Sequence, residues 1–164
     1  MDTVQIQCTL QNVKSFLGVF PSDLLPPKSI SSRSGTVIVN ADPHTERGSH
    51  WLAIHLEPRS SSAYYFDSYG LFPFVPTVRS FLRRNCTLWD YKVTRLQGLI
   101  SAVCGHYCCL FALYMDRGYT PKQFVALFNA DIADRQVEEL FLTEFGSLRT
   151  VPRGGQRSSD TYIR

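Results

Sequence analysis

The fold depends most on residues 97–116, QGLISAVCGHYCCLFALYMD, which contain the longest apolar run of the chain. The segment Cys104–Met115 is nearly continuously apolar and too long for an ordinary strand, so it predicts a buried helix that ends at Gly118. A helix N-terminus carries free N–H groups and a positive partial charge, and both favour a thiolate at Cys104. Cys104 is therefore a candidate nucleophile, and an inert core cysteine is the alternative.

Two further cysteines and a histidine follow on the same predicted helix. We interpret Cys108 and Cys109 as inert core thiols. With Cys104 and His106 they form a single cluster, whereas a structural zinc site usually combines two closely spaced pairs of ligands. The sequence therefore predicts no metal site. The chain has five cysteines, an odd number, which argues against a disulfide framework and for reduced thiols.

Strands are expected mainly in the middle of the chain and helices mainly at its ends. The predicted strands cover residues 36–39, 51–56, 63–66 and 88–94. The predicted helices cover 1–17, 75–84, 104–115 and 134–145, with a short helix that opens at Thr120 and Pro121. This order predicts an α+β fold with a small mixed central sheet flanked by helices. A length of 164 residues fits one domain, which we assign to residues 1–148.

Charge is distributed unevenly along the chain. Residues 1–148 carry 13 basic and 13 acidic side chains, whereas residues 149–164 carry four arginines and one aspartate. This Pro-, Gly- and Ser-bearing tail is predicted to be flexible and permits weak binding to a polyanion, with a simple solvated end as the alternative. The chain has no apolar run of about 20 residues, and residues 1–7 do not resemble a secretory signal. We therefore expect no membrane association.

Three polar residues could cooperate with a thiolate at Cys104. His50 opens one predicted strand and Asp67 ends the next, so pairing of these strands would bring both side chains together. The carboxylate is then expected to hold the Nδ1–H group of His50 and to stabilise its imidazolium form. Gln97 lies seven residues before Cys104, and its amide could form an oxyanion hole with the Cys104 backbone N–H. Taken singly, His50 is weak evidence and Gln97 also fits a solvated strand end.

The order His, Asp, Gln, Cys resembles that of the adenovirus-type cysteine endopeptidases (adenain family), which belong to the same clan as the SUMO-processing proteases. The resemblance covers residues 16–118, and its most specific part is the pattern QGxxSAxCGxxCC at residues 97–109. The other matching segments are Phe16–Phe20, Ile38–Asn40, His50-Trp51 and Phe66-Asp67-x-x-Gly70.

The resemblance implies the α+β fold of that clan and a role for each of four residues. These are Cys104 as nucleophile, His50 as general base, Asp67 as the group that orients His50, and Gln97 as the donor of the oxyanion hole. Adenovirus enzymes usually have Glu in place of Asp67, whereas the SUMO-protease branch and the proteases of Polinton-like elements use Asp. The chain is also shortened between its last two helices. Both differences suggest a divergent adenovirus-related virus or a Polinton-like element as the source.

The resemblance further implies two activators. Cys86 lies eleven residues before Gln97, where adenovirus enzymes carry a cysteine that joins an activating viral peptide through a disulfide. DNA is the second activator of those enzymes, and Arg79, Arg83 and Arg84 on the predicted helix before Cys86 would contact its phosphates. A solvated helix face and a spare thiol are an equally good interpretation of these residues.

The function implied by the resemblance is that of a viral thiol endopeptidase. It would cleave capsid or core precursor proteins at Gly-Gly or Gly-X sites through an acyl-enzyme on Cys104. We expect it to act as a monomer in the virion and the host nucleus, without a metal or small-molecule cofactor. The alternatives are a SUMO- or ubiquitin-like isopeptidase of the same clan and a non-catalytic DNA- or capsid-associated protein. The complete set of four residues argues against the latter.

Overall fold

The structure, a computed structural model, describes residues 1–27 and 33–146. Within these residues five strands form one sheet: β1 Phe16–Pro21, β2 Gly35–Asn40, β3 Trp51–Glu57, β4 Ser62–Phe66 and β5 Leu88–Tyr91. The helices are α1 Thr3–Leu10, α2 Pro76–Asn85, α3 Cys104–Asp116, α4 Pro121–Val125 and α5 Ala133–Phe145, with a 3₁₀ turn at Pro58–Ser60. The predicted α+β class is confirmed.

The sheet is mixed, and its strands lie side by side in sequence order. The outer pairs β1/β2 and β4/β5 are parallel, whereas the inner pairs β2/β3 and β3/β4 are antiparallel. Ala53 in β3 lies opposite Phe66 in β4, so the beginning of β3 and the end of β4 meet at the same end of the sheet. This register brings together the residues that flank the two strands, His50 and Asp67.

Two hydrophobic cores cover the two faces of the sheet. Alternate strand residues such as Leu52 and Ile54 pack towards α2 on one face, and Ile38 and Phe66 pack towards α3 on the other. Helix α3 also contacts α1 and α5, and ten of its 13 residues are buried. Burial on nearly all sides explains why its sequence is apolar almost without interruption.

The first helix and the last strand are shorter than predicted. Helix α1 starts with a capping box, in which Asp2 and Gln5 each accept the other's backbone N–H, and it ends at Leu10. Leu17, which helical spacing placed on this helix, lies in β1 instead, because backbone pairing with β2 outweighs the local periodicity. Strand β5 ends at Tyr91, three residues earlier than predicted.

The remaining predicted strands and long helices agree with the structure to within one residue at each end. Helix α3 ends at Asp116 and is followed by Gly118, whose φ of +84° is the left-handed conformation expected after a helix. Thr120 caps α4 by accepting the backbone N–H of Gln123, as predicted.

Some predictions concern residues that the structure does not describe. The basic tail at residues 149–164 and the domain boundary at residue 148 lie outside the described residues. None of the described helices is both long and apolar enough to cross a bilayer. Within residues 1–27 and 33–146, no three His, Cys, Asp or Glu side chains are grouped so that they could hold a metal ion.

Candidate active site

The ends of β3 and β4 place a histidine beside a carboxylate. His50 immediately precedes β3 and Asp67 immediately follows β4, and His50 Nε2 lies 2.9 Å from Asp67 Oδ1. The expectation that Asp67 holds Nδ1 of the ring was therefore wrong. Because Nε2 binds the carboxylate, Nδ1 is the ring nitrogen left for Cys104, whose interaction with His50 helps to raise the pKa of His50.

The Asp67 carboxylate is held in place by a tight turn. It is only 4% exposed, and Oδ1 also accepts the backbone N–H of Tyr69 at 2.8 Å. Gly70 completes the turn with a φ of +69°, and a Cβ atom there would lie 2.8 Å from the backbone carbon of Thr94. Only glycine accommodates both the left-handed conformation and this close approach. The requirement explains the glycine in the Phe66–Gly70 segment.

Cys104 is the first residue of α3 and is 8% exposed. Burial opposes its thiolate, but hydrogen bonds from His50 and from the backbone N–H groups of Trp51 and Gly105 outweigh burial and lower the pKa of Cys104. Burial also opposes the imidazolium, but hydrogen bonds to Asp67 and Cys104 raise the pKa of His50 to about 9. These opposite shifts stabilise a thiolate–imidazolium pair, which can attack a carbonyl carbon.

The two other cysteines of α3 have a different environment. Cys108 and Cys109 are fully buried, and burial raises the pKa of both thiols. Both residues therefore favour the thiol form, which is unreactive. The structure therefore supports the interpretation of these two residues as inert core cysteines.

Gln97 lies in a polar network beside the pair. The Ser68 hydroxyl donates to Gln97 Oε1 at 2.6 Å, and Gln97 Nε2 donates to the Ser101 carbonyl at 2.8 Å and to the Tyr69 hydroxyl at 3.3 Å. Because a carbonyl oxygen only accepts, the contact with Ser101 determines which end of the amide carries the N–H groups. Gln97 is 1% exposed, so the alternative of a solvated strand end is wrong.

The loop that joins Gln97 to α3 is anchored to α5. The backbone N–H of Gly98 donates to Asp134 Oδ2 at 2.9 Å, and the Tyr107 hydroxyl donates to Asp134 Oδ1 at 3.3 Å. One carboxylate therefore binds both the start of this loop and the first turn of α3. This arrangement fixes the position of Gln97 relative to Cys104.

Tyr69 and Asp134 were not identified from the sequence. The Tyr69 ring centroid lies 4.8 Å from that of His50, in addition to the hydrogen bonds of its backbone and hydroxyl. Its position inside the Phe66–Gly70 segment was the only sequence signal. Asp134 gave none, because its partner Gly98 is 36 residues away along the chain.

Cys86 and the arginines of α2 lie apart from this site. Cys86 belongs to the core on the α2 face of the sheet, whereas Cys104 belongs to the core on the α3 face. The Cys86 thiol donates to the Leu82 carbonyl at 3.1 Å, and burial raises the pKa of Cys86. Of the three arginines, Arg79 is half-buried, and Arg83 and Arg84 are exposed.

Comparison with known proteins identifies adenovirus proteases as relatives of this chain. A family model described as adenovirus endoprotease matches residues 16–74. The protease of human adenovirus B serotype 3 is 30% identical over 146 residues, which cover 75% of this chain and 68% of that protein. The protease of porcine adenovirus A serotype 3 is 30% identical over 144 residues, which cover 71% and 70% respectively. The protease of human adenovirus A serotype 12 is 33% identical over 113 residues, and the match spans about half, 53%, of its length.

A solved structure supports the fold. The crystal structure of the ASFV pS273R protease aligns with a TM-score of 0.58 and 17% sequence identity, over 88% of this chain and 65% of that chain. At this identity the similarity concerns the fold alone. Two of the adenovirus proteases, by contrast, match at 30% identity over more than two thirds of their own length. This chain therefore belongs to the adenovirus endoprotease family.

Proposed function

We propose that the protein is a thiol endopeptidase that cleaves viral precursor proteins. The observation that carries the proposal is the arrangement of Cys104, His50 and Asp67, in which a buried thiolate and a partly buried imidazolium stabilise each other. Membership of the adenovirus endoprotease family supports the same reaction.

In the proposed reaction the Cys104 thiolate attacks the carbonyl carbon of the scissile bond, and a C–S bond forms while the carbonyl electrons move to oxygen. The C–N bond then breaks, and the His50 imidazolium donates its proton to the leaving amine. Neutral His50 next removes a proton from a water molecule, whose oxygen attacks the thioester carbon. The C–S bond breaks, the carboxylic acid leaves, and the ion pair is restored. Asp67 keeps the imidazole oriented throughout.

The oxyanion of each tetrahedral intermediate requires hydrogen-bond donors. We propose that the Gln97 amide and the backbone N–H of Cys104 supply them. The first N–H groups of a helix have no partner within the helix, which supports this role for the Cys104 N–H. The burial of Gln97 supports the other donor, because a hydrogen bond to a developing charge is stronger where water is excluded.

The proposed substrates are capsid or core precursors cleaved at Gly-Gly or Gly-X sites. The support for these substrates is membership of the adenovirus endoprotease family. We further propose that the enzyme acts as a monomer in the virion and the host nucleus, where such precursors are assembled.

Hydrolysis assays test this function. The purified chain is mixed with a fluorogenic peptide in which Gly-Gly precedes the reporter and with a matched Val-Val peptide. We expect hydrolysis of the first peptide alone, and complete loss of it in Cys104→Ala. Faster hydrolysis of ubiquitin or SUMO carrying the same reporter would favour the isopeptidase alternative. No hydrolysis of any of these substrates by the intact enzyme, assayed both alone and with the viral peptide and DNA, would contradict a peptidase function.

We also propose that a viral peptide and DNA activate the enzyme through Cys86 and the α2 arginines. A disulfide at Cys86 would require its buried thiol to leave the Leu82 carbonyl and become accessible to the peptide. We expect Cys86→Ser to keep basal activity and to lose affinity for the peptide. Arg83→Ala combined with Arg84→Ala should reduce the salt dependence of DNA binding by about two phosphate contacts. Full activity without peptide or DNA would contradict this proposal.

A further inference from the structure

Tyr69 contacts three of the four residues of the candidate site. Its ring lies 4.8 Å from the His50 ring, with the two planes tilted by 32°. Its backbone N–H donates to Asp67 Oδ1 at 2.8 Å, the same oxygen that His50 Nε2 binds at 2.9 Å. Its hydroxyl accepts from Gln97 Nε2 at 3.3 Å. Tyr69 therefore connects the imidazole–carboxylate pair to the amide of the proposed oxyanion hole.

The hydroxyl contact matters because of the freedom of a glutamine side chain. The terminal torsion of glutamine has a broad energy minimum, so hydrogen bonds rather than rotamer preference set the plane of its amide. One N–H of Gln97 is occupied by the Ser101 carbonyl at 2.8 Å. The other N–H donates to the Tyr69 hydroxyl at 3.3 Å, a longer contact than that with Ser101, so this is the N–H that transfers more readily to an oxyanion.

We propose that Tyr69 is a positioning residue whose hydroxyl keeps the second N–H of Gln97 directed into the oxyanion hole. The inference rests on the proposed function, because it concerns how Gln97 acts during peptide hydrolysis. A donor that is already oriented needs no reorganisation when the negative charge develops, which is the main advantage of an enzyme site over water. The aromatic ring meanwhile packs against His50 and limits rotation of the imidazole.

The electrostatic environment is consistent with this role. Burial, followed by the negative charges of Cys104 and Asp67, raises the pKa of Tyr69. The hydroxyl therefore stays protonated at neutral pH and does not compete with the oxyanion as a second negative charge. A neutral hydroxyl can accept from Gln97 and can yield that hydrogen bond to a charged oxygen, which is the stronger acceptor.

The test is Tyr69→Phe, which removes the hydroxyl and retains the ring against His50. We expect kcat for the Gly-Gly peptide to fall about fivefold, the scale of one neutral hydrogen bond, with little change in KM. In a Gln97→Ala background the same substitution should cause no further loss, because Tyr69 acts through Gln97. Alkylation of Cys104 by iodoacetamide forms no oxyanion, so the pH profile of the alkylation rate should be the same in Tyr69→Phe as in the wild type. Tyr119→Phe, three residues beyond the end of α3, serves as the matched control.

Three results would overturn the inference while leaving the proposed function intact. The first is an unchanged kcat in Tyr69→Phe, and the second is an equal fivefold loss in the presence and absence of Gln97. A merely structural role would lower the melting temperature and the alkylation rate together, which also contradicts the inference. A wild-type enzyme that hydrolyses no peptide would overturn the proposed function and this inference with it.

Discussion

The indole Nε1 of Trp51 donates a hydrogen bond of 3.0 Å to the carbonyl oxygen of Met1, 50 residues away along the chain. Trp51 follows His50, so this bond joins the segment before α1 to the candidate active site. The Met1 side chain covers Gly105, where an added Cβ atom would lie 3.0 Å from the Met1 Cβ atom. Residue 1 of the same chain therefore occupies the space beside Gly105.

Gly105→Ala tests this packing. An alanine in a helix is normally more stable than a glycine by about 1 kcal/mol, but here the new methyl group meets a Met1 residue held by Trp51. We expect the free energy of unfolding to fall by about 1–3 kcal/mol, as in overpacked cores, when measured by chemical denaturation. Gly146→Ala is the control, because no atom lies within 4 Å of the added Cβ there. Equal stabilisation in both variants would show that Met1 does not pack tightly against residue 105.

Cys104 should be the most reactive thiol at neutral pH. Its pKa is lowered, whereas burial raises the pKa of Cys86, Cys108 and Cys109. Cys8 is exposed, so the experiment uses Cys8→Ser to remove its background. Limited iodoacetamide treatment should label Cys104 first, as detected by mass mapping. Peptide hydrolysis should fall in proportion to the fraction of Cys104 that is labelled. Earlier labelling of any of the other three cysteines would contradict the assignment.

Gln97→Ala should lower kcat much more than it changes KM. The donor is needed most in the transition state, and the loss of one oxyanion donor costs about 100-fold or more in kcat. Gln97 is buried in a hydrogen-bonded network, so the melting temperature is recorded for the same variant. Normal iodoacetamide alkylation of Cys104 would show that the rest of the site is intact. An unchanged kcat would remove Gln97 from the oxyanion hole.

The pH dependence of hydrolysis should reflect the ion pair. Activity appears as the pH rises through the lowered pKa of Cys104, and it disappears as the pH rises through the His50 pKa of about 9, when the imidazolium loses its proton. Asp67→Asn removes the negative charge that supports the imidazolium, so the upper limb of the kcat/KM profile should move to lower pH. An upper limb that stays in place would show that Asp67 does not stabilise the charge of His50.

Asp134→Ala should weaken the loop before α3. The substitution leaves the partly buried backbone N–H of Gly98 without its carboxylate partner, which should cost about 1 kcal/mol, the low end of the range for an unsatisfied buried donor. We expect a lower melting temperature and a lower kcat, since Gln97 begins this loop. Asp131→Ala removes a nearby exposed carboxylate and should change neither quantity. Equal effects of the two substitutions would argue against a specific anchor.

The sequence by itself was sufficient for features that depend on neighbouring residues. The apolar run of α3, the cap at Thr120 and the β-branched residues of β2 each act over a few residues, and the corresponding elements agree with the structure. The place where His50 and Asp67 meet was also predictable, because antiparallel pairing of consecutive strands brings the start of one strand to the end of the next.

Other features were decided only by the tertiary structure. The use of Nε2 rather than Nδ1 by Asp67 depends on how the His50 ring turns between that carboxylate and Cys104, and a sequence pattern does not contain a side-chain torsion. The contacts of Asp134 with Gly98 and of Trp51 with Met1 join segments far apart in the chain. Such contacts form because packing of α1 and α5 around α3 brings these groups together after the local elements exist, so no short stretch of sequence specifies them.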